Sequence, residues 1–325
     1  MYKIVVTDYE FADLAPEQAV FDGHDIELVA GPFPTREALA EACRDADAIL
    51  NQYTQLDAQF IAGLQRCRVI SRYGIGTNTI DLDAATAAGI MVANVPDGSI
   101  EDVSDHAAAM ILALSRGLGS YDRALRNGVW DYAAAKPLHR LRGGTLGLVG
   151  FGNIPQRLAR KMAVFGMETV AFDPYVSADE ASSRGARPVG LDELLTISDV
   201  VSVHVPLTAS TRGSIGRDQL ALMKRTAILI NTARGGVVDD DALAEALRAG
   251  RIRGAGLDVF TSEPISGDSA FTALDNTLLS PHAAWYSEES ELEIRRKTAH
   301  NALTTLTEGR PTYLVNREVT ARAMT

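Results

Sequence analysis

The sequence predicts an α/β architecture: two doubly wound, parallel-sheet domains with a cleft between them. Three observations carry that expectation. The chain has 325 residues, about twice a typical domain, so two cores are the default. Short apolar runs alternate with helix-length amphipathic stretches, the pattern of a parallel sheet covered by helices on both faces. The alternation is interrupted once, after Pro96, and then resumes.

In the first tract, strands are expected at Ile4–Thr7, Ile26–Ala30, Ala48–Leu50, Arg68–Arg72 and Met91–Val95. Helices are expected at Thr35–Asp45 and Asp57–Leu64, where Thr35 and Asp57 suit N-capping. After Pro96 come two long helical stretches, Glu101–Arg116 and Ser120–Asn127. An irregular arm, Gly128–Gly144, follows and suits a surface connection or an intersubunit wrap. The second tract opens with Thr145–Val149 and Glu168–Phe172, and further strands are expected near Val200–Val205, Ala227–Thr232, Gly256–Phe260 and Leu278–Ser280. A final helix, Glu288–Glu308, is expected to return to the first domain. The domains are then 1–98 with 287–325, and 99–286. There is no internal repeat and no low-complexity tract.

Composition excludes several classes. Lys and Arg total 31 against 42 Asp and Glu, a net charge of −11, so phosphate backbones and anionic membranes would repel the chain. Neither nucleic acid nor membrane is expected as a partner. Hydrophobic residues make up 46%, ample for two cores. The two cysteines, Cys43 and Cys67, have no metal-type spacing and suggest a reducing compartment, so no metal is expected. The start, Met1 to Asp8, looks like a first buried strand rather than a signal peptide. The longest apolar stretch, Ala107–Leu114, is too short to cross a bilayer, and a cytoplasmic protein is expected.

The glycine turn Gly150-Phe151-Gly152-Asn153-Ile154 joins the strand Thr145–Val149 to a helical pattern. Glycine there lets backbone N–H groups approach a pyrophosphate at a helix N-terminus, where the helix dipole also favours negative charge. Asp173 stands 23 residues after Gly150, at the end of the next strand. A carboxylate there accepts hydrogen bonds from both adenosine ribose hydroxyls and repels a 2′-phosphate, with no Arg or Lys beside it in compensation. The expected cofactor is therefore NAD rather than NADP. Two glycines in a turn can also be steric in origin, but strand, turn, helix, strand and acid arrive here in the required order. Pro155 occupies the position of a customary third small residue, and a first helical turn tolerates it.

Three residues near strand ends carry candidate chemistry: Arg234, Glu263 and His282. Ligands of doubly wound sheets bind at the carboxyl ends of strands. A carboxylate beside a histidine stabilises imidazolium and fixes the ring, which suits general acid/base work. An arginine fork grips a carboxylate in two places. Together they suit hydride and proton transfer between a small 2-hydroxy acid and its 2-oxo acid, with NAD taking the hydride. Singly, each has a plain alternative: a surface ion pair, a solvated turn acid, a structural histidine. The other five histidines, His24, His106, His139, His204 and His300, show no comparable neighbourhood.

Several segments resemble the D-isomer-specific 2-hydroxyacid dehydrogenase family: Gly147 to Gly152, Asn231 to Asp239, Leu257 to Phe260 and Pro281 to Glu288. The last of these, with Arg72-Tyr73-Gly74-Ile75-Gly76, looks most like the C-terminal-binding-protein branch. The resemblance implies a Rossmann NAD domain, a flavodoxin-like substrate domain and D-isomer chemistry. It gives Arg234 to the substrate, Glu263 to orienting the acid/base and His282 to carrying the proton. It gives the substrate carboxylate the N–H groups of Ile75 and Gly76 in the Gly74 loop, with Arg72 on the substrate side. Gln52, with Asn51 and Tyr53, is expected in the side-chain pocket. Cofactor contacts are implied for Gly150, Gly152, Asn153, Ile154, Asp173, Val205, Pro206, Thr211, Thr232, Ala233, Arg234, Asp258, His282, Ala284 and Trp285. The family also implies a homodimer, paired through the helix Glu101–Arg116 and the arm. Some relatives in that branch are NAD-sensing corepressors that hold peptides, which is the alternative to turnover. The chain departs from the pattern at Asn78-Thr79, Gly98 and Pro155.

Overall fold

The computed structural model describes residues 1–320, which fall into two units: residues 1–99 with the chain from Ser287 onward, and Ile100–Tyr286. Each unit has one wholly parallel sheet.

The first unit holds β1 (Tyr2–Val6), β2 (Ile26–Ala30), β3 (Ala48–Asn51), β4 (Val69–Arg72) and β5 (Met91–Ala93), in the order β2-β1-β3-β4-β5. Ile4, Val5, Val6, Ile49, Leu50, Val69 and Ile70 are fully buried, as continuous apolar runs covered on both faces should be. Val5, Ile49, Ile70 and Val92 share a core with Leu39 and Cys43 of the helix Arg36–Cys43 and Phe60 and Ile61 of the helix Ala58–Ala62. Thr35 and Asp57 cap those helices by accepting the N–H groups of Ala38 and Phe60. The C-terminal helix Glu288–Glu308 packs on β3, β4 and the helix Ala15–Phe21. Its inner face is polar but satisfied. Ser71 Oγ donates to the Thr298 carbonyl (2.9 Å), Arg68 Nη2 to that of Thr305 (2.8 Å), and Asn301 Nδ2 to that of Asn94 (3.0 Å). Arg295 on this helix forks onto buried Glu17 at 2.9 and 2.8 Å and lies over the Phe11 ring.

The second unit holds β6 (Thr145–Val149), β7 (Glu168–Phe172), β8 (Arg187–Pro188), β9 (Val200–Val203), β10 (Ile228–Asn231), β11 (Gly254–Leu257) and β12 (Thr277–Leu279), in the order β12-β11-β10-β9-β6-β7-β8. Alternate residues feed two cores, one on each face. Ile228 and Ile230 join Met110, Ile111, Leu146, Leu148 and Leu158 on one side, while Leu229 joins Val201, Val203, Leu243 and Leu257 on the other. Among the described residues, no helix is long and apolar enough to cross a membrane.

Several expectations need correction. The strand expected at Gly256–Phe260 lies at Gly254–Leu257, because the ladder to β10 pairs Ile228 with Gly254. A Cβ on Gly256 would come within 2.9 Å of Ile230 and 3.0 Å of Met110, so this strand reads poorly as a strand yet packs as one. The strand expected at Ala227–Thr232 stops at Asn231, whose side chain takes over the turn: its Oδ1 accepts the Ala233 N–H, and its Nδ2 donates to the Arg234 carbonyl. The arm expected to be irregular contains a short 3-10 helix, Tyr132–Ala135, beside fully exposed Trp130. Helices at Ala15–Phe21, Leu82–Ala87, Ala178–Ser183, Leu191–Ile197, Arg217–Leu222 and Asp240–Arg248, and strand β8, were not anticipated.

Candidate active site

At the end of β6 the chain turns through Gly150, whose φ is 94° and whose Cβ, if present, would lie 2.8 Å from the His204 carbonyl oxygen. Only glycine fits there. The helix Asn153–Val164 begins at once, with Gly152 as its N-cap and buried Pro155 in its first turn. The N–H groups of Asn153 and Ile154 thus have no partner within the helix. Asp173, after β7, accepts the Phe151 N–H at 2.8 Å and the Tyr175 N–H at 2.9 Å, which holds its carboxylate against the glycine turn. The order reverses between β6 and β9, and the carboxyl edge at that switch point is where such sheets take ligands.

The loop after β9 carries Val205, Pro206 and Thr211, closed by the Thr211 hydroxyl on the Pro206 carbonyl. After β10 comes Thr232, whose buried hydroxyl makes no hydrogen bond to a described residue, then Ala233 and Arg234. A glycine cradle, an open helix start, an oriented acid and an unsatisfied hydroxyl on one edge fit a dinucleotide.

Arg234, Glu263 and His282 leave the adjacent strands β10, β11 and β12 at the same edge. His282 Nδ1 lies 2.7 Å from Glu263 Oε2, and Glu263 Oε1 accepts the Phe260 N–H at 2.9 Å. Glu263 is thus held at both oxygens, and the acceptor at Nδ1 assigns that nitrogen the proton. His282 Nε2 makes no hydrogen bond to a described residue. Partial burial pushes the Glu263 carboxyl upward, but the hydrogen bonds from His282 and Phe260 and the charges of His282 and Arg234 outweigh it, leaving it below the ordinary carboxylate value. Burial lowers the Arg234 guanidinium, and the charge of Glu263 works against that shift. Arg234 Nη1 donates to the Ala233 carbonyl at 2.6 Å.

His282 has a φ of 54°, a conformation that costs a non-glycine residue about 1–3 kcal/mol. Asp258 holds it there. The Asp258 carbonyl accepts the His282 N–H (2.8 Å), its Oδ1 accepts the Ser280 hydroxyl (2.5 Å) and the Ala283 N–H (2.9 Å), and its Oδ2 accepts the Ala284 N–H (3.0 Å). Asp258, expected to line a cofactor, is buried and spends both oxygens on the loop that carries His282 and Trp285. The expectation that no other histidine has a comparable setting is corrected by His106. Its Nε2 lies 2.9 Å from Ser280 Oγ and 3.8 Å from Asp258. Its helix, Ile100–Arg116, precedes β6, and nothing local in the sequence signals partners so distant.

The first unit carries the other expected residues. Arg72 ends β4, and Gly74 follows with a φ of 108°; a Cβ there would fall 2.2 Å from Arg72 Nη1, so glycine makes room for the guanidinium. Asn94 Nδ2 holds the Ile75 carbonyl at 2.7 Å, leaving Ile75 and Gly76 half-buried. Gln52 is buried, and its amide oxygen accepts the Glu10 N–H at 3.0 Å. Gly98 lies where a Cβ would come within 2.7 Å of Ile294, so no aromatic side chain fits at that position.

Elsewhere the second unit has a cavity of about 580 Å³ lined by Gly117, Arg123, Lys136, Arg225, Arg253 and Asp275, at the opposite, amino ends of β10 to β12. Buried Cys43, its thiol pushed up to about 12 by desolvation, is no nucleophile. No group of three or more His, Cys, Asp or Glu is placed to hold a metal among the described residues.

Comparison with known proteins matches residues 108–284 to the model of the D-isomer specific 2-hydroxyacid dehydrogenase, NAD binding domain. The glyoxylate reductase of Korarchaeum cryptofilum is 39% identical over 290 residues, 88% of this chain and 87% of that protein. The D-3-phosphoglycerate dehydrogenase of Mycobacterium tuberculosis is 38% identical over 279 residues, 86% of this chain but 52% of that protein, so the chain spans about half the length of that relative. The solved structure of D-lactate dehydrogenase from Aquifex aeolicus, complexed with NAD and lactic acid, matches with a TM-score of 0.82 at 28% identity, covering 94% of this chain and 96% of that one. The matched domain makes a nicotinamide dinucleotide the cofactor of this chain.

Proposed function

Because this chain belongs to the D-isomer specific 2-hydroxyacid dehydrogenase family, we propose that it interconverts a small D-2-hydroxy acid and its 2-oxo acid, with NAD preferred to NADP. The observation that carries this reading is the His282–Glu263 pair with Arg234 beside it, on the edge that also bears the glycine turn and Asp173. Gly150, Gly152, Asn153, Ile154 and Thr232 would hold the dinucleotide and Asp173 its adenosine ribose, and the group would supply or take up the hydride at C2 of the acid.

The remaining work falls to the chain's own groups. His282 Nε2 moves the proton at the substrate oxygen, because Nδ1 is committed to Glu263. Glu263, ionised and held at both oxygens, keeps that tautomer and stabilises the imidazolium. Arg234 grips the substrate carboxylate and polarises the neighbouring carbonyl.

The test is NADH consumption with a panel of small 2-oxo acids. At least one should be reduced, and His282→Ala should lower turnover by about 10²–10⁴-fold while NADH affinity changes far less. Equal loss of both would remove His282 from the proton-carrying role, and failure with every 2-oxo acid would refute the reading. The exposed Trp130, Tyr132, Leu118 and Leu125 around the arm support pairing of two copies through this unit. Sedimentation at a single chain's mass would refute that pairing.

A further inference from the structure

The loop after β12 hangs on a chain of polar groups that begins on the helix Ile100–Arg116, and the whole chain lies within the second unit. His106 Nε2 lies 2.9 Å from Ser280 Oγ, and the Ser280 hydroxyl donates to Asp258 Oδ1 at 2.5 Å. A serine has one hydroxyl proton, and here it is committed to the carboxylate. Ser280 Oγ therefore accepts from His106, and Nε2 is the donor in either charge state of the ring. The chain runs in one direction, from imidazole to hydroxyl to carboxylate.

Both ends of the chain are anchored. At the carboxylate end, the Asp258 N–H donates to the Asn231 carbonyl and the Ser280 N–H to the Leu257 carbonyl, each at 3.0 Å. Asp258 then accepts the N–H groups of Ala283 and Ala284 through its side chain and that of His282 through its carbonyl, so its orientation sets the backbone that aims His282. At the imidazole end, Ala107, Met110 and Ile111 pack into the core with Ile228 and Ile230. Lys161 of the helix Asn153–Val164 pairs with Asp105 at 2.7 Å and donates to Ser104 Oγ at 2.6 Å. A roll of the helix Ile100–Arg116 would break these contacts, which fixes where His106 meets the strand ends. The basic side chain beside the buried Asp258 carboxylate is His106, 3.8 Å away.

We infer that His106 is a positioning residue for the proton carrier: its Nε2–H fixes the Ser280 hydroxyl on Asp258, and Asp258 in turn fixes the backbone of His282. The inference rests on the proposed function and adds to it a residue that acts through two others. Without that donor the serine hydroxyl is free to turn, and Asp258 loses the partner that aims one of its oxygens. Hydrogen bonds in series polarise one another, so a loss at one end weakens the bond at the other. His282, at a φ of 54°, has the most to lose, because a strained conformation persists only where its surroundings over-determine it. A side chain that merely filled space on the helix would not depend on which atom it presents to Ser280.

The experiment measures kcat with NADH and the 2-oxo acid that the parent reduces best, beside NADH affinity. His106→Leu should lower kcat about three- to tenfold, with NADH affinity changed by less than about twofold. His106→Gln, whose amide N–H reaches about as far as Nε2, should keep at least about half of the parent kcat. In a Ser280→Ala background the link is already cut, so His106→Leu should then change kcat by less than about twofold, the mark of groups acting in series. Three results overturn the inference while leaving the proposed reaction intact: glutamine no better than leucine, the same loss from His106→Leu with and without Ser280, or a His106→Leu kcat within about twofold of the parent. Where His106→Leu fails to fold, His106→Asn, whose shorter amide stops short of Ser280, takes its place in every comparison. A parent that reduces no 2-oxo acid overturns the proposed function and this inference with it.

Discussion

Asp258→Asn tests whether the geometry of His282 is imposed by one buried carboxylate. The aspartate accepts three hydrogen bonds through its side chain, two at Oδ1 and one at Oδ2, and only 1% of its surface is exposed. An asparagine has the same shape, but one of its two positions is a donor. Its best placement keeps the carbonyl toward Ser280 and Ala283 and turns the NH₂ toward the Ala284 N–H, so two donors face each other. The lost charge-assisted bond is worth about 1.5–3 kcal/mol, and the orphaned N–H about 1–3 kcal/mol; the two overlap, giving roughly 2–4 kcal/mol in all. The strained backbone of His282 relaxes first, because it already stores about 1–3 kcal/mol. If about half of the total appears as displacement of the imidazole, kcat/KM falls roughly 5- to 30-fold, at about 1.4 kcal/mol per factor of ten. The assay is kcat/KM for the preferred 2-oxo acid, with NADH affinity and Tm measured on the same preparations. Ser280→Ala, which leaves the carboxylate in place, should lose less. A folded variant with kcat/KM within twofold of the parent would refute the reasoning. NADH affinity falling in step with kcat/KM would instead make Asp258 a direct cofactor ligand.

Two further outcomes follow from the same structure. Asp173→Ala should narrow the preference for NAD over NADP, since it removes the anion that opposes a 2′-phosphate; an unchanged ratio of kcat/KM values would mean that Asp173 does not read the ribose. His204, hydrogen-bonded to Ser202, is lowered to about 3 by burial, so the folded state stays neutral there while the unfolded chain takes a proton near 6.5. Stability should therefore fall as pH drops below about 6.5, by at most about 1.4 kcal/mol per pH unit from this group, down to its folded value. The lowered Glu263 carboxyl adds a loss that begins only below its ordinary 4.5. Thermal unfolding across pH 4 to 7 reads both, and a Tm flat through that range, or lost above pH 7, would contradict them.

How much of the fold was legible depended on what each element buries. β1, β3 and β4 are covered on both faces, so Ile4-Val5-Val6, Ile49-Leu50 and Val69-Ile70 read as unbroken apolar runs. The C-terminal helix was legible from length and ends rather than from a stripe. Ser287 caps it, Gly309 at a φ of 88° stops it, and its inner face tolerates Thr298, Asn301 and Thr305 because the threonine hydroxyls donate to the Ile294 and Asn301 carbonyls of the helix itself and Asn301 Nδ2 donates to the Asn94 carbonyl. Short helices such as Leu191–Ile197 and Leu82–Ala87 span under two turns, too few for a 3.6-residue period to rise above composition. β11 hid itself for a different reason, since Gly-Ala-Gly is what close packing against Met110 and Asn276 demands and what strand propensity disfavours.

The same physics decides which site residues a sequence can disclose. The glycine turn and Asp173 lie within one βαβ unit, where spacing alone constrains geometry. Arg234, Glu263 and His282 are separated by long intervals, yet each follows a strand, and parallel strands deliver all their successors to one edge; the unknown was adjacency, which the order β12-β11-β10 supplies. His106 has no such address. It reaches Ser280 and Asp258 from a helix that crosses the sheet, so its partners depend on how that helix docks through Ala107, Met110 and Ile111 against Ile228 and Ile230. Periodicity places those apolar residues toward the sheet but cannot tell which strand ends lie under the histidine that precedes them. A half-buried histidine between Asp105 and Ala107, at the border of a buried helix face, is thus read as structural by default, until tertiary packing brings a carboxylate and a hydroxyl within its reach.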